Sequence, residues 1–324
     1  MVLSMTCRVA MAPDELARHL AGQLIPSGVA TVEPLAEGVM NHMYLARTRR
    51  SESFVIRIYP AQRRKVARYE PGLIQRLYAS GCLVPEIVGH HLPASESAPA
   101  WVAYRYIEGV TLARRASALG PREIRNIAAA LVENLKTMSR VPIRGFGGLV
   151  TYDSADEADA WEFVRRSLAG GIDNAARNGV VDRASVERLQ RVLENSRRDV
   201  ECFDGALAWG DLAPTNILLD REDRLAGLVD FESSFALDGA LSAGYFFAMN
   251  PGHPLLEALL EAAHAAGFGF QDAKLKLCAV LRASRMAKFA HRSLPIGRPQ
   301  SPIAILLPGA MQALEELDRH YSTR

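Results

Sequence analysis

Between Leu207 and Glu232 the chain reads LAWGDLAPTNILLDREDRLAGLVDFE, and three side chains in it could do chemistry together: Asp211, Asn216 and Asp230. Asp211 and Asn216 follow the pattern D-x-x-x-x-N. Two β-rich runs, Ile217 to Leu219 and Leu225 to Val229, flank the polar reversal Asp220-Arg221-Glu222-Asp223, which predicts a hairpin. The hairpin returns Asp230 to the end at which Asn216 left, so both can face one hard cation such as Mg²⁺. Asp211, in the loop ahead of the first strand, is then placed to meet a substrate hydroxyl. One carboxylate orienting a nucleophile, with an Asn and an Asp holding a metal, is the division of labour that phosphoryl transfer asks for. The structural alternative is a surface hairpin that happens to carry these three residues.

At these residues the chain resembles the aminoglycoside phosphotransferase and choline kinase superfamily. That superfamily carries His-Gly-Asp, an Asn five residues after the Asp, and then Ile-Asp-Phe or Ile-Asp-Trp. Here Trp209 stands where the His is usual, and since that His acts mainly as a scaffold, the exchange touches local packing more than catalysis. Asp230-Phe231-Glu232 looks more like the choline kinase branch than the Asp-Phe-Gly of protein kinases. The resemblance implies an α+β, bilobed protein-kinase-like fold: a small β-rich N-terminal nucleotide-binding lobe over 1–108 and a larger, mainly helical catalytic and acceptor-binding lobe over 109–324.

The elements ahead of the motif divide accordingly. Pro13 to Leu24 reads as a short amphipathic helix with an acidic first turn. Runs at Met43 to Thr48 and Phe54 to Tyr59 read as strands, after a loop containing Gly38 and Asn41. The resemblance implies that this loop covers the phosphates, that Arg57 takes the place of the family's strand Lys, and that Glu70 pairs with it. A guanidinium can serve there because its fork binds phosphate oxygens bidentately. The alternatives are an ordinary turn at Gly38 and a solvated Glu70. Residues 61–80 have helical periodicity, but Pro71 and Gly72 predict a break. The strand WVAYRYIEGVTL ends at Glu108-Gly109, and the resemblance places backbone contacts to a nucleotide base at Arg105 and Ile107.

In the second half, Ile124, Ile127, Leu131, Leu135 and Met138 mark a core helix from Pro121 to about Thr137. Gly145-Phe146-Gly147-Gly148 reads as a plain turn, since no strand-to-helix context with Lys-Ser or Lys-Thr follows it. A helix bearing Trp161, Phe163 and Leu168 comes next, and another spans Ala184 to about Asn195. Asp238 either supports the active-site loop, as in the family, or is a turn residue before Gly239. Late helices are expected at His253 to Ala266, Asp272 to His291 and Ile303 to His320.

Composition narrows the class. With 324 residues, 49% hydrophobic, 23% charged and a net charge of +2, the chain is an ordinary globular sequence, and nothing concentrates positive charge as a nucleic-acid or polybasic membrane binder would. The cluster Arg63, Arg64, Lys65, Arg68 reads as a solvated helix face. Cys7, Cys82, Cys202 and Cys278 are too scattered for a metal site or a disulfide framework. With no apolar run of ~18 residues and no secretory core, a cytoplasmic protein is expected.

The reading is therefore an ATP- or GTP-dependent, Mg²⁺-requiring kinase. It moves a γ-phosphate to a hydroxyl of an antibiotic-like small molecule such as an aminoglycoside, an antibiotic-resistance activity, with neither nucleic acid nor membrane as a partner. A choline, ethanolamine, homoserine or sugar kinase of the same superfamily stands beside it, as does a catalytically silent nucleotide-binding relative. If the acceptor is cationic, Asp153, Asp156, Glu157, Asp159 and Trp161, with Glu257 and Glu261, are its candidate partners.

Overall fold

The computed structural model of the chain describes residues 12–25, 28–35, 41–95, 98–177, 181–293 and 302–323. It forms two compact units, one of Met1–Tyr78 with Val84–Ile107, the other of Ala79–Leu83 with Glu108–Arg324.

The first unit holds α1 (Pro13–Leu24), β1 (Val29–Pro34), β2 (His42–Thr48), β3 (Ser53–Tyr59), α2 (Arg64–Ala79), β4 (Ile87–His91) and β5 (Ala100–Arg105). Its five strands form an antiparallel sheet in the order β1-β2-β3-β5-β4. Because successive strand residues face opposite sides, Phe54, Ile56 and Ile58 pack with Leu16, Leu20 and Ala21 of α1, while Val55 and Tyr59 join Ala67 of α2. Arg57 falls in the second set by the same alternation, so β3 itself aims the guanidinium at α2.

The break expected at Pro71 does not occur: α2 runs through it from Arg64 to Ala79. An internal proline costs about 3 kcal/mol. Leu73 and Leu77 are fully buried and Ile74 nearly so, and at roughly 1.5–3 kcal/mol for each such side chain their burial exceeds that cost. Strands β1 and β4 had no counterpart in the sequence pattern; their residues are mostly half-buried or exposed.

The second unit begins with β6 (Val110–Thr111), α3 (Leu112–Arg115), α4 (Pro121–Ser139), β7 (Phe146–Thr151), β8 (Ser154–Glu157), α5 (Ala160–Arg177), α6 (Arg183–Asn195) and α7 (Arg197–Glu201). It continues with β9 (Ala206–Trp209), β10 (Ile217–Leu219), β11 (Leu225–Leu228), β12 (Ser234–Leu237), α8 (Ala240–Met249), α9 (Pro254–Ala265), α10 (Asp272–Ser293) and α11 (Pro302–Ser322). One small sheet has the order β11-β10-β6 and another β8-β7-β12-β9. Of the plain turn expected at Gly145 to Gly148, Gly145 is a bend with φ 81°, but Phe146 to Gly148 instead start β7, which pairs with β12 through Gly147 and Gly148. Glycine has little strand preference of its own, so it is the distant β12 that makes this segment extended. The core gathers Phe163, Val164 and Leu168 of α5, Leu241 and Tyr245 of α8, Leu277 to Leu281 of α10 and Leu314 and Leu317 of α11. Cys82, Cys202 and Cys278 are free thiols, and Cys7 lies outside the described residues. Among the described residues no helix is long and apolar enough to cross a membrane.

Candidate functional site

In the second unit β9, β12 and the β10–β11 hairpin hold Asp211, Asn216 and Asp230 together. The hairpin pairs Ile217 with Leu228 and Leu218 with Gly227, and the Val229 N–H closes it onto the Asn216 carbonyl at 3.1 Å. Asp230 is thereby returned beside Asn216. At the far end Asp223 turns the chain with φ 58°, and Arg115 of α3 grips its carboxylate through Nε at 2.6 Å and Nη2 at 2.8 Å.

Asn216 then reaches back across the loop. Its Nδ2 donates to the Asp211 backbone carbonyl and to Asp211 Oδ2, both at 3.1 Å. On the other side Gly210 donates its N–H to the Ser233 carbonyl at 2.9 Å. A Cβ at Gly210 would lie 2.3 Å from that oxygen and 2.8 Å from the Phe235 ring, so the close approach that seats Asp211 needs glycine. All three functional side chains are half-buried.

Asp230 adopts φ 69°. The left-handed region is uncommon for a residue with a side chain, although Asp tolerates it better than most. Trp209 braces it: the buried indole Nε1–H donates to the Asp230 carbonyl at 2.8 Å, and the ring stacks on Phe231 with centroids 5.4 Å apart. The Trp therefore acts on the metal candidate through its backbone, the work of a scaffold. Exchange to His retains an N–H donor but removes the stacking area. Trp209→His is expected to keep kcat within about tenfold while costing ~1–3 kcal/mol in denaturant unfolding; complete loss of turnover in a stable variant would give the Trp a further role.

In the first unit, Arg57 Nη1 donates to both Glu70 oxygens, at 2.8 and 2.9 Å, and the Tyr59 hydroxyl donates to Glu70 Oε2 at 2.7 Å. Arg57 is 5% exposed and Glu70 1%, so this is a buried ion pair with a third group on it. Burial, then the Glu70 carboxylate, pushes the Tyr59 phenol well above its ordinary value, which keeps it a donor. Asn41 is buried; Gly38 lies outside the described residues. The Arg105 N–H is spent on the Glu86 carbonyl at 2.9 Å, so this residue can offer a nucleotide base only its carbonyl. Its exposed guanidinium is held by Glu86 at 2.7 Å and Glu52 at 3.4 Å. Ile107 follows the end of β5, half-buried.

Of the acidic residues expected to meet a cationic acceptor, Asp153, Asp156, Glu157 and Asp159 have work within the second unit. Asp153 accepts from Thr151 Oγ1 at 2.7 Å and pairs with Arg144 at 3.2 Å, and Asp156 Oδ1 accepts the Gly148 N–H at 2.9 Å. Glu157 pairs with Arg166, and Asp159 Oδ1 accepts the Glu162 N–H at 3.0 Å at the start of α5. The Trp161 ring lies under the Arg197 guanidinium at 5.8 Å. Glu257 and Glu261 are exposed on α9. Asp238 accepts the Ala240 N–H at 2.9 Å and pairs with Lys274 at 2.9 Å. Burial raises its pKa despite that cation.

Two residues beside Asp211 were not anticipated. Burial first, and then the Asp211 carboxylate, raise the pKa of the Tyr245 phenol on α8, and Arg282 of α10 lies over the Tyr245 ring at 4.9 Å. The only hint was a cation inside the apolar run LKLCAVLRAS; Tyr245, in AGYFFAM, gave none.

Comparison with known proteins bears on the family and the fold. A family model described as "Phosphotransferase enzyme family" matches residues 31–278. No curated protein matches the chain. Among solved structures, the GDP complex of wild-type aminoglycoside 2'-phosphotransferase-IIIa superposes with TM-score 0.67 at 17% identity, covering 95% of this chain and 99% of that one. A thermostable mutant of aminoglycoside phosphotransferase APH(4)-Ia, in ternary complex with ADP and hygromycin B, gives 0.64 at 16%, over 95% and 98% of the chains. The streptomycin-ATP-APH(2")-IIa ternary complex gives 0.62 at 14%, over 97% and 99%. At such identities these likenesses establish the α+β fold, and the model match over most of the chain establishes membership: this chain belongs to the phosphotransferase enzyme family.

Proposed function

We propose that the chain transfers the γ-phosphoryl group of ATP or GTP to a hydroxyl of a small molecule, with Asp211 orienting that hydroxyl and taking its proton. The observation that carries this is the arrangement of Asp211, Asn216 and Asp230: one amide nitrogen bridging to the catalytic carboxylate, and a second carboxylate held on a strained backbone by a buried indole. Strain of that kind persists where the surroundings enforce it, commonly at active sites.

Asn216 and Asp230 fit a Mg²⁺ ion. Among the described residues there is no group of three or more His, Cys, Asp or Glu, so an all-protein cage is not offered. Two oxygen donors completed by phosphate oxygens and water are what this ion accepts at nucleotide sites. When bound, it would neutralise charge on the phosphates. In the first unit Arg57, fixed by Glu70 and Tyr59, is the cation proposed for phosphate oxygens, with Asn41 beside the phosphates and the Arg105 carbonyl and Ile107 toward the base. Pre-positioning of this sort is most of what the reaction asks of a protein.

For the acceptor, an aminoglycoside-like antibiotic is the reading that the solved relatives support, since their complexes hold hygromycin B and streptomycin. A second reading, a neutral hydroxyl compound such as a sugar, is favoured by the internal partners of Asp153, Asp156, Glu157 and Asp159 and by the buried cation Arg282 over the Tyr245 ring. ADP release from Mg·ATP and Mg·GTP with aminoglycosides, amino alcohols, amino acids and sugars separates them. Turnover of the polycations, weakened by salt as screening of exposed charge requires, supports the first; turnover of uncharged acceptors with KM indifferent to salt supports the second. No ADP release with any acceptor would mark a silent nucleotide-binding relative.

A further inference from the structure

Behind Asp211, on the side formed by α8 and α10, lies a buried cation that the phosphoryl-transfer reading does not use. Arg282 is 5% exposed, and among the described residues it forms no ion pair. Its guanidinium lies 4.9 Å from the Tyr245 ring centre and 5.9 Å from that of Phe235, and Nη2 donates to Ser233 Oγ at 3.2 Å. A buried charge without a carboxylate is costly, and an apolar side chain of similar size would serve packing better. The chain nevertheless brings it here: Gly244 of α8, whose Cβ would lie 2.5 Å from the Leu275 carbonyl oxygen, lets α10 approach closely. Two of these contacts bear on the base: Ser233 also supplies the carbonyl that holds Gly210, and the Tyr245 phenol is acted on by both the Asp211 carboxylate and the Arg282 guanidinium.

We infer that Tyr245 and Arg282 are positioning residues for Asp211: the guanidinium donates toward the phenol oxygen, and the phenol O–H donates toward the carboxylate, holding it in one rotamer opposite Asn216. Burial first, and then the facing carboxylate, raise the phenol's pKa, so it stays protonated and remains a donor. With Asn216 Nδ2 on Oδ2 from one side and Tyr245 from another, the carboxylate has little rotational freedom left when the acceptor hydroxyl arrives. The Arg fork can address Ser233 and Tyr245 together, which a lysine ammonium on its flexible stem cannot.

This inference rests on Asp211 being the base, and the test keeps the two apart. In full-length protein labelled with [ζ-¹³C]tyrosine, the Tyr245 signal is identified by its loss in Tyr245→Phe, and it should move in both Asp211→Asn and Arg282→Lys. Tyr245→Phe keeps the ring under Arg282 and removes one oxygen, so the fold should survive. It should lower kcat about ten- to a hundredfold, the scale of a misplaced reacting group, with KM for Mg·ATP unchanged. ADP release is followed with the acceptors that the panel identifies, or with water where none does. In an Asp211→Asn background the same exchange should have no further effect on rate, because there is no longer a base to position. A Tyr245 signal indifferent to Asp211→Asn, or a Tyr245→Phe enzyme of unchanged kcat, overturns the inference. If Asp211→Asn itself retains full kcat while the signal still moves, the base assignment is what has failed.

Discussion

In Asp211→Ala, kcat should fall by ~10² or more while the protein keeps its fold. A positioned general base contributes about 10²–10⁴ to a transfer of this kind, and nothing else in the loop presents a carboxylate at that point. The structure gives reason to expect the fold to survive. Asn216 Nδ2 divides its bonding between the Asp211 backbone carbonyl and Oδ2, each at 3.1 Å, and truncation removes only the second. The Gly210 to Ser233 bond and the Leu212 and Ala213 side chains buried just after the loop are untouched. Unfolding midpoints should therefore stay close to those of the parent, and KM for the nucleotide should hardly move, because Asp211 is not placed among the proposed phosphate or metal partners. A folded Asp211→Ala protein with parental kcat would exclude Asp211 as the base and leave its carboxylate a purely structural role.

How much of this was legible in the sequence depends on how local each cause is. The β10–β11 hairpin was legible because its two apolar runs and the polar reversal between them are contiguous, and because the chain needs only short-range pairing to bring Val229 back to Asn216. The Arg57–Glu70 pair was legible only through resemblance, since a Glu on a helix carries no sign of burial; what buries it is the alternation of β3, which sends Arg57 to the face that α2 covers. Three features escaped for a common reason. The β7 strand is extended by β12, far along the chain, against the low strand preference of its glycines. Helix α2 passes through Pro71 because the burial of Leu73, Ile74 and Leu77 outweighs a local penalty. Tyr245 and Arg282 meet Asp211 only after α8 and α10 have packed, and α8 is so uniformly buried that no periodicity shows which of its faces matters. Patterns report local cause well, and none of these causes is local.

Asp230→Asn tests the metal assignment more cleanly than truncation would. The backbone there has φ 69°, a region that Asn occupies as readily as Asp, whereas Ala would add a strain of roughly 1–2 kcal/mol. The Trp209 bond goes to the Asp230 carbonyl oxygen and the stacking partner is Phe231, so neither brace depends on the carboxylate. What the exchange removes is one negative charge and the better cation-binding oxygen. A hard divalent ion depends on that charge, and the stabilisation it gives to a transferring phosphoryl group is worth several kcal/mol, or ~10³ and upward in rate. Turnover should accordingly drop below detection at Mg²⁺ concentrations that saturate the parent, with thermal unfolding preserved. Partial recovery at much higher Mg²⁺ would agree with a weakened site. Near-parental kcat in the folded variant, at ordinary Mg²⁺, would remove Asp230 from the metal site and leave its left-handed backbone to be explained by the turn into β12 alone.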